Sequence, residues 1–248
     1  VTIKRPVLCA AAVLAVLLPL SSCGTRVSAS PLGLAGNGDV VARELRVSGF
    51  DAVAFGGAGI LRFHRAPAHR VVVTLDSNLL ESFQAELRGS TLELGFKPGF
   101  QINRYSKLEI DLYLPDLKGI TLSGSAEAAL LDSFRGSTFQ ANLSGSGRLI
   151  GEVRMDRIRV TMSGSGNVEL GGEADRLEAD ISGSGVIKAA RLEVRSARAS
   201  LTGLGFLDVR VRDDLDIRLS GAGRVRYFGD PKVRSSVTGA GTVERAGA

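Results

Sequence analysis

One five-residue motif recurs seven times in the second half of the chain: an apolar residue, Ser or Thr, Gly, a variable residue, and Gly or Ala. Its copies start at Leu122 (LSGSA), Leu143 (LSGSG), Met162 (MSGSG), Ile181 (ISGSG), Leu201 (LTGLG), Leu219 (LSGAG) and Val237 (VTGAG). The spacings are 21, 19, 19, 20, 18 and 18 residues. A flexible Gly-Ser linker has no reason to keep such a beat. A period near 20 that holds only short strands is the signature of a solenoid, in which each repeat buries its apolar face on its neighbours.

Alignment on the motif turns the period into faces. Two residues before each start stand Ile120, Ala141, Val160, Ala179, Ala199, Ile217 and Ser235. Six residues after it stand Ala128, Leu149, Val168, Ile187, Leu207, Val225 and Val243. These positions and the motif start share one parity, so extended chain turns them all to one side. Each repeat therefore supplies a strand before the glycines and another after them. Three residues before the start, Arg159, Glu178, Arg198, Asp216 and Arg234 alternate in sign. In parallel, in-register rungs about 4.8 Å apart, that order keeps like charges from facing each other. In an antiparallel meander these residues are not neighbours. The fold class that follows is all-β: a parallel β-solenoid with about 18–21 residues per rung, preceded by a less regular β region.

The glycines then read as corners. The first column is Gly124, Gly145, Gly164, Gly183, Gly203, Gly221 and Gly239. The second is Ala126, then Gly147, Gly166, Gly185, Gly205, Gly223 and Gly241. By parity both columns are expected to point inward, where a sharp bend leaves no room for a side chain. Between motif start and first glycine run Ser123, Ser144, Ser163, Ser182, Thr202, Ser220 and Thr238. Stacked hydroxyls of this kind bond along the axis or back to corner backbone.

Catalytic readings of the same residues are weak. A phosphate cradle needs a single glycine-rich loop leading into a helix N-terminus. A nucleophile elbow needs G-x-S-x-G and a His partner, and the repeats contain no His. Calcium-binding nonapeptides need an Asp in each copy. His64 and His69 are the only histidines, both near Pro67 in what reads as a turn after a strand, and too few for a zinc or copper site. Asp213, Asp214 and Asp216 are the one acidic cluster that suits a carbohydrate-active β-helix, though a solvated face accounts for them better. No cofactor or metal is implied.

Before the repeats, Val71–Leu75 is a β-branched run and Ala85–Leu94 reads as a hairpin turning at Gly89-Ser90. Asp76-Ser77 reads as a cap for one helical turn through Leu80. Leu108–Leu114 alternates strictly and stops at Pro115. At the other end of the chain, Lys4-Arg5 precedes an apolar run from Val7 to Leu20, too short to span a membrane as a helix of about 20 residues. This is the pattern of an export signal. The sequence Leu20-Ser21-Ser22-Cys23-Gly24 that follows resembles a bacterial lipobox, whose Cys becomes the first, lipidated residue. With Gly24 rather than Asp next to it, the resemblance implies the outer membrane. The expected organisation is a lipoprotein signal peptide over 1–22, a flexible tether over 23–44 and a β domain over 45–248. Within that domain, 45–117 is irregular and 118–245 is repetitive.

Removal of Lys4 and Arg5 lowers the formal charge from +5 to +3, and the chain has no Trp, so nucleic acid is not an expected partner. Cys9 leaves with the signal and Cys23 carries lipid, so the domain holds together without disulfides.

Several segments outside the repeats carry a family resemblance. They are Val47-Ser48-Gly49-Phe50-Asp51-Ala52-Val53, Asp76-Ser77-Asn78-Leu79-Leu80, Gly89-Ser90-Thr91-Leu92-Glu93-Leu94, Leu114-Pro115-Asp116-Leu117 and Tyr227-Phe228-Gly229-Asp230-Pro231-Lys232-Val233. Together with the repeated sGsG series, over roughly residues 45 to 245, they resemble the bacterial family named "putative auto-transporter adhesin, head GIN domain". Leu204, Ala222 and Ala240 depart from the earlier serines. The resemblance implies a β-helix-like domain on a secreted or lipid-anchored protein and transfers no catalytic residues. The expected function is a non-catalytic, lipid-anchored envelope protein whose solenoid presents an interaction face. Its role is adhesion or envelope organisation, and its partners are the membrane and a glycan, envelope or host-protein ligand. A carbohydrate-active enzyme and a purely structural envelope protein are the alternatives. The N-terminal hairpins suit a cap for one end of the stack. Little after Arg245 caps the other, which leaves self-association open.

Overall fold

The computed structural model describes residues 33–247. The signal segment, Cys23 and the first part of the tether lie outside the described residues. Gly33–Ala248 form one compact unit with a single apolar core.

In chain order the strands are β1 (Leu34–Ala35), β2 (Val40–Leu45), β3 (Ala52–Gly57), β4 (Ile60–Arg65), β5 (Arg70–Asp76), β6 (Phe83–Arg88), β7 (Thr91–Phe96), β8 (Ile102–Arg104) and β9 (Leu108–Leu114). The repeats supply β10 (Gly119–Gly124), β11 (Glu127–Leu130), β12 (Phe134–Gly145), β13 (Arg148–Gly164), β14 (Asn167–Gly183), β15 (Val186–Gly203), β16 (Phe206–Gly221), β17 (Arg224–Phe228), β18 (Lys232–Thr238) and β19 (Thr242–Arg245). From β10 onward every pairing is parallel and keeps motif on motif: Leu122 faces Leu143, Leu143 faces Met162, and Met162 faces Ile181. The parallel β-solenoid expected from the period is the observed fold.

The three apolar columns form the core. Ile120, Leu122, Ala128, Leu149, Val160, Met162, Val168, Ile181, Ile187 and Ile217 are all 2% exposed or less. Strands β13 to β16 run 16 to 18 residues, with shifts of register between Glu169 and Gly171 and between Ala189 and Glu193. A straight strand of 17 residues is about 56 Å long, so each must turn back. The turns fall where alternation fails and two exposed residues follow each other: Asp156-Arg157, Asp175-Arg176 and Asp213-Asp214.

The stack extends further back than the repeat. β3 lies parallel to β10, with Phe55 facing Leu122 and Gly57 facing Gly124, and β7 lies parallel on β3. Phe55-Gly56-Gly57-Ala58-Gly59 is thus an eighth, degenerate motif, 67 residues ahead of the next. The region expected to be irregular contributes rungs of its own. β4 and β9 complete them on the other side.

Antiparallel strands then close this end. β5 pairs with β9, β2 with β5, and β6 with β7. Leu79 and Phe83 fill the core beneath them. Because Val40–Leu45 is a paired strand and Leu34 faces Ile102, the flexible tether cannot extend to residue 44. The Gly89-Ser90 hairpin forms as expected. The 3-10 turn Ser77–Ser82 also forms, but the Asp76 side chain does not cap it. Its carboxylate accepts instead from Gly38 N (2.7 Å), Ser106 N (2.7 Å) and Ser106 Oγ (2.8 Å), tying three segments together.

Candidate interaction surface

Three surfaces of the solenoid bear on function: the glycine corner, the charged faces and the open end. At the corner, the first glycine column lies at the surface instead of pointing inward. Its direction is along the stack. A Cβ on Gly164 would sit 2.5 Å from the carbonyl oxygen of Gly145 in the rung before, and its φ of +123° belongs to glycine. The second column does point inward and is buried from Gly147 to Gly223. A Cβ on Gly185 would strike the Met162 side chain, and one on Gly205 the Ile181 side chain. The motif-start residue of one rung therefore packs into the space left by the second glycine of the next.

Backbone, and not hydroxyl, staples these corners. Ser146 N donates to Gly124 O (2.8 Å), Ser165 N to Gly145 O (2.9 Å) and Ser184 N to Gly164 O (2.9 Å). The hydroxyl column from Ser123 to Thr238 faces solvent throughout, as do Ser125, Ser146, Ser165 and Ser184 beside it. The corner is thus a narrow ridge, doubly lined with hydroxyls as far as Ser184 and then broken by the exposed Leu204, Ala222 and Ala240.

The charge column expected to stack does so. Arg159, Glu178, Arg198, Asp216 and Arg234 are successive in-register partners, with ion pairs Arg159–Glu178 and Arg198–Asp216 (3.8 Å). A second alternating column, which sequence reasoning missed, runs up the strands after the corner: Glu169, Lys188, Asp208, Arg226 and Glu244. It lies seven residues after each motif start, one past the apolar column, and the same alignment exposes it. Its centre is a two-pronged pair, Arg226 Nε and Nη2 each 2.7 Å from an Asp208 carboxylate oxygen. The Asp208 carboxylate and its charge raise the Arg226 pKa.

Two residues of the acidic cluster, Asp214 and Asp216, line one open cavity together with the bases Arg176, Arg198, Lys232 and Arg234. Asp213 bonds Arg212 (3.1 Å) and pairs with Arg195 (3.6 Å), Asp216 pairs with Arg198, and Asp214 lies exposed in register with Lys232. A glycosidase needs two carboxylates flanking one bond, whereas two of these three are tied to arginines. His64 belongs to β4 itself, stacked on Tyr113 with ring centroids 4.5 Å apart and 3.4 Å from Asp111. His69 lies within 2.7 Å of Phe50 O. Among the described residues no group of three His, Cys, Asp or Glu gathers as metal ligands.

Comparison with known proteins joins this geometry to a family. Residues 49–231 match the family model "Putative auto-transporter adhesin, head GIN domain". The chain belongs to that family. A "putative adhesin" from Bacteroides fragilis has a similar fold at 21% identity, with a TM-score of 0.82 over 86% of this chain and all of that one. A "putative lipid binding protein" from Parabacteroides distasonis and a "putative adhesin" from Parabacteroides merdae each give a TM-score of 0.72 at 24% identity. They cover 86% and 87% of this chain and 99% of their own. At such identities the likeness is one of fold. No curated protein matches the chain.

Proposed function

We propose that the chain is an exported, lipid-anchored adhesin of the cell envelope, without enzymatic activity, that holds its solenoid out from the outer membrane as a binding surface. The observation that carries this reading is the regularity of the surface. Its charges run in alternating columns up the stack, and its acidic cluster is divided among arginines. The family description and the solved relatives called adhesins support the same reading.

The fold also supports a direction of display. Gly33 enters at the capped end, where Leu34 N donates to Gln101 O. Cys23 is ten residues earlier, so the linker reaches about 35 Å at most. The face that carries the motif stacks nine strands, from β7 through β3 to β18, or about 38 Å. An anchor at Cys23 would join the domain at its capped end, which suits display of the β18–β19 end away from the membrane.

Two measurements test the proposal. Labelled palmitate is expected in the wild type and absent from Cys23→Ser, which moves to the soluble fraction. The purified domain is expected to bind a glycan or matrix protein while releasing no new reducing ends. Polysaccharide cleavage that Asp214→Ala abolishes would overturn it in favour of an enzyme.

A further inference from the structure

The two ends of the stack are unlike. Antiparallel strands cover the first, and its outermost strand β2 carries Arg43 and Glu44 on opposite faces. A charge on each face of an edge strand blocks further stacking. The second end has no such cover among the described residues. β18 pairs with β16, β19 with β17 and β2 with β5, and among the described residues the other edge of β18 and of β19 has no paired strand. Val233 and Val237 are 37% and 42% exposed, while Leu215 and Leu219, their partners one rung earlier, are 1% and 2% exposed. No Pro or inward charge interrupts β18.

The charges at this end are complementary to each other. The first ladder ends on Arg234 and the second on Glu244, one on each side of the glycine corner. Neither forms an ion pair among the described residues. A rung laid on this end needs an acid over Arg234 and a base over Glu244, and the end itself supplies both. We propose that a second copy of the chain docks here, tip to tip, about a two-fold axis that runs along the strands through the corner. β18 of each copy then lies antiparallel to β19 of the other. Val237 meets Val243 of the second copy, and Arg234 lies diagonally within reach of its Glu244, an arrangement that long side chains bridge. The alternation continues unbroken: Arg198, Asp216 and Arg234, then Glu244, Arg226 and Asp208 of the second copy. Pairing β18 with β18 would instead set Lys232 and Arg234 against their own copies. The contact is isologous, so it closes as a dimer and does not grow.

The dimer follows from the end geometry alone; that it joins two membranes rests on the anchored reading above. Sedimentation and light scattering of residues 33–248 are expected to show a concentration-dependent dimer. Arg234→Glu alone and Glu244→Arg alone are each expected to be monomeric, since each homodimer would oppose two like pairs. An equimolar mixture is expected to dimerise again, because both contacts become Glu–Arg, and that recovery also proves both variants folded. A wild type that stays monomeric at its highest soluble concentration overturns the proposal. So do polymers that lengthen with concentration, and variants whose mixture shows no recovery. Failure here leaves the anchor untouched, because palmitate labelling reads that independently.

Discussion

At Gly164 two constraints coincide, a φ of +123° and a backbone carbonyl 2.5 Å from where a side chain would begin. Backbone cannot withdraw without opening the rung, so Gly164→Val is expected to cost about 3 kcal/mol or more, read as a fall in Tm. Gly185→Ala meets Sδ and Cγ of Met162, a flexible side chain that can rotate aside, and reaches Gly166 O only at ordinary contact distance (3.4 Å), so its expected cost is smaller, about 1–2 kcal/mol. Equal losses at both sites would contradict the division between the two columns. Asp76 carries a different kind of constraint. Burial pushes its pKa up, but hydrogen bonds from Ser106 and Gly38 outweigh that and hold it below the usual 3.8. A carboxylate whose pKa is lower folded than unfolded stabilises the fold above its unfolded pKa. That contribution is lost as pH falls through the folded one. Stability is therefore expected to drop below about pH 4, and Asp76→Asn to flatten the drop while lowering Tm at neutral pH. An acid limb unchanged by Asp76→Asn would remove the residue from the account.

Among the elements, the rungs were legible and the cap was not. Three columns of one parity foretold which residues are buried from Ile120 to Val225, because strand alternation is local and leaves its mark in order. The first ladder foretold parallel register for the same reason. The eighth motif at Phe55 escaped because 52 residues of cap, 66 to 117, separate its second strand from the next rung. Its only signal is a cluster of small residues after a buried Phe. Asp76 escaped because its two partners, Gly38 and Ser106, come from distant segments, and no spacing records that. The glycine direction was misjudged because parity ceases to apply where φ turns positive. The ladders differ in strength. Asp208 is nearly buried and double-bonded to Arg226, whereas Arg198–Asp216 is a looser exposed pair. Asp208→Ala is expected to lower Tm by several degrees and Asp216→Ala by about one degree or less, since exposed pairs contribute little. The reverse order would show that the second ladder does not hold the rungs in register.

Over the described residues the solenoid has one end covered by antiparallel strands and one end, β18 and β19, without such cover. Its closed end receives the chain at Gly33, and its other end carries exposed valines flanked by opposite charges. The tip-to-tip contact proposed above makes that end the binding tip. It is tested most directly with residues 23–248, whose only thiol is Cys23, coupled through that thiol to lipid in vesicles. Vesicles bearing the wild type are expected to cluster, as read by light scattering, and vesicles bearing Arg234→Glu alone to stay dispersed. Mixing the latter with Glu244→Arg vesicles is expected to restore clustering. Wild-type vesicles that remain dispersed at full surface coverage would contradict the account.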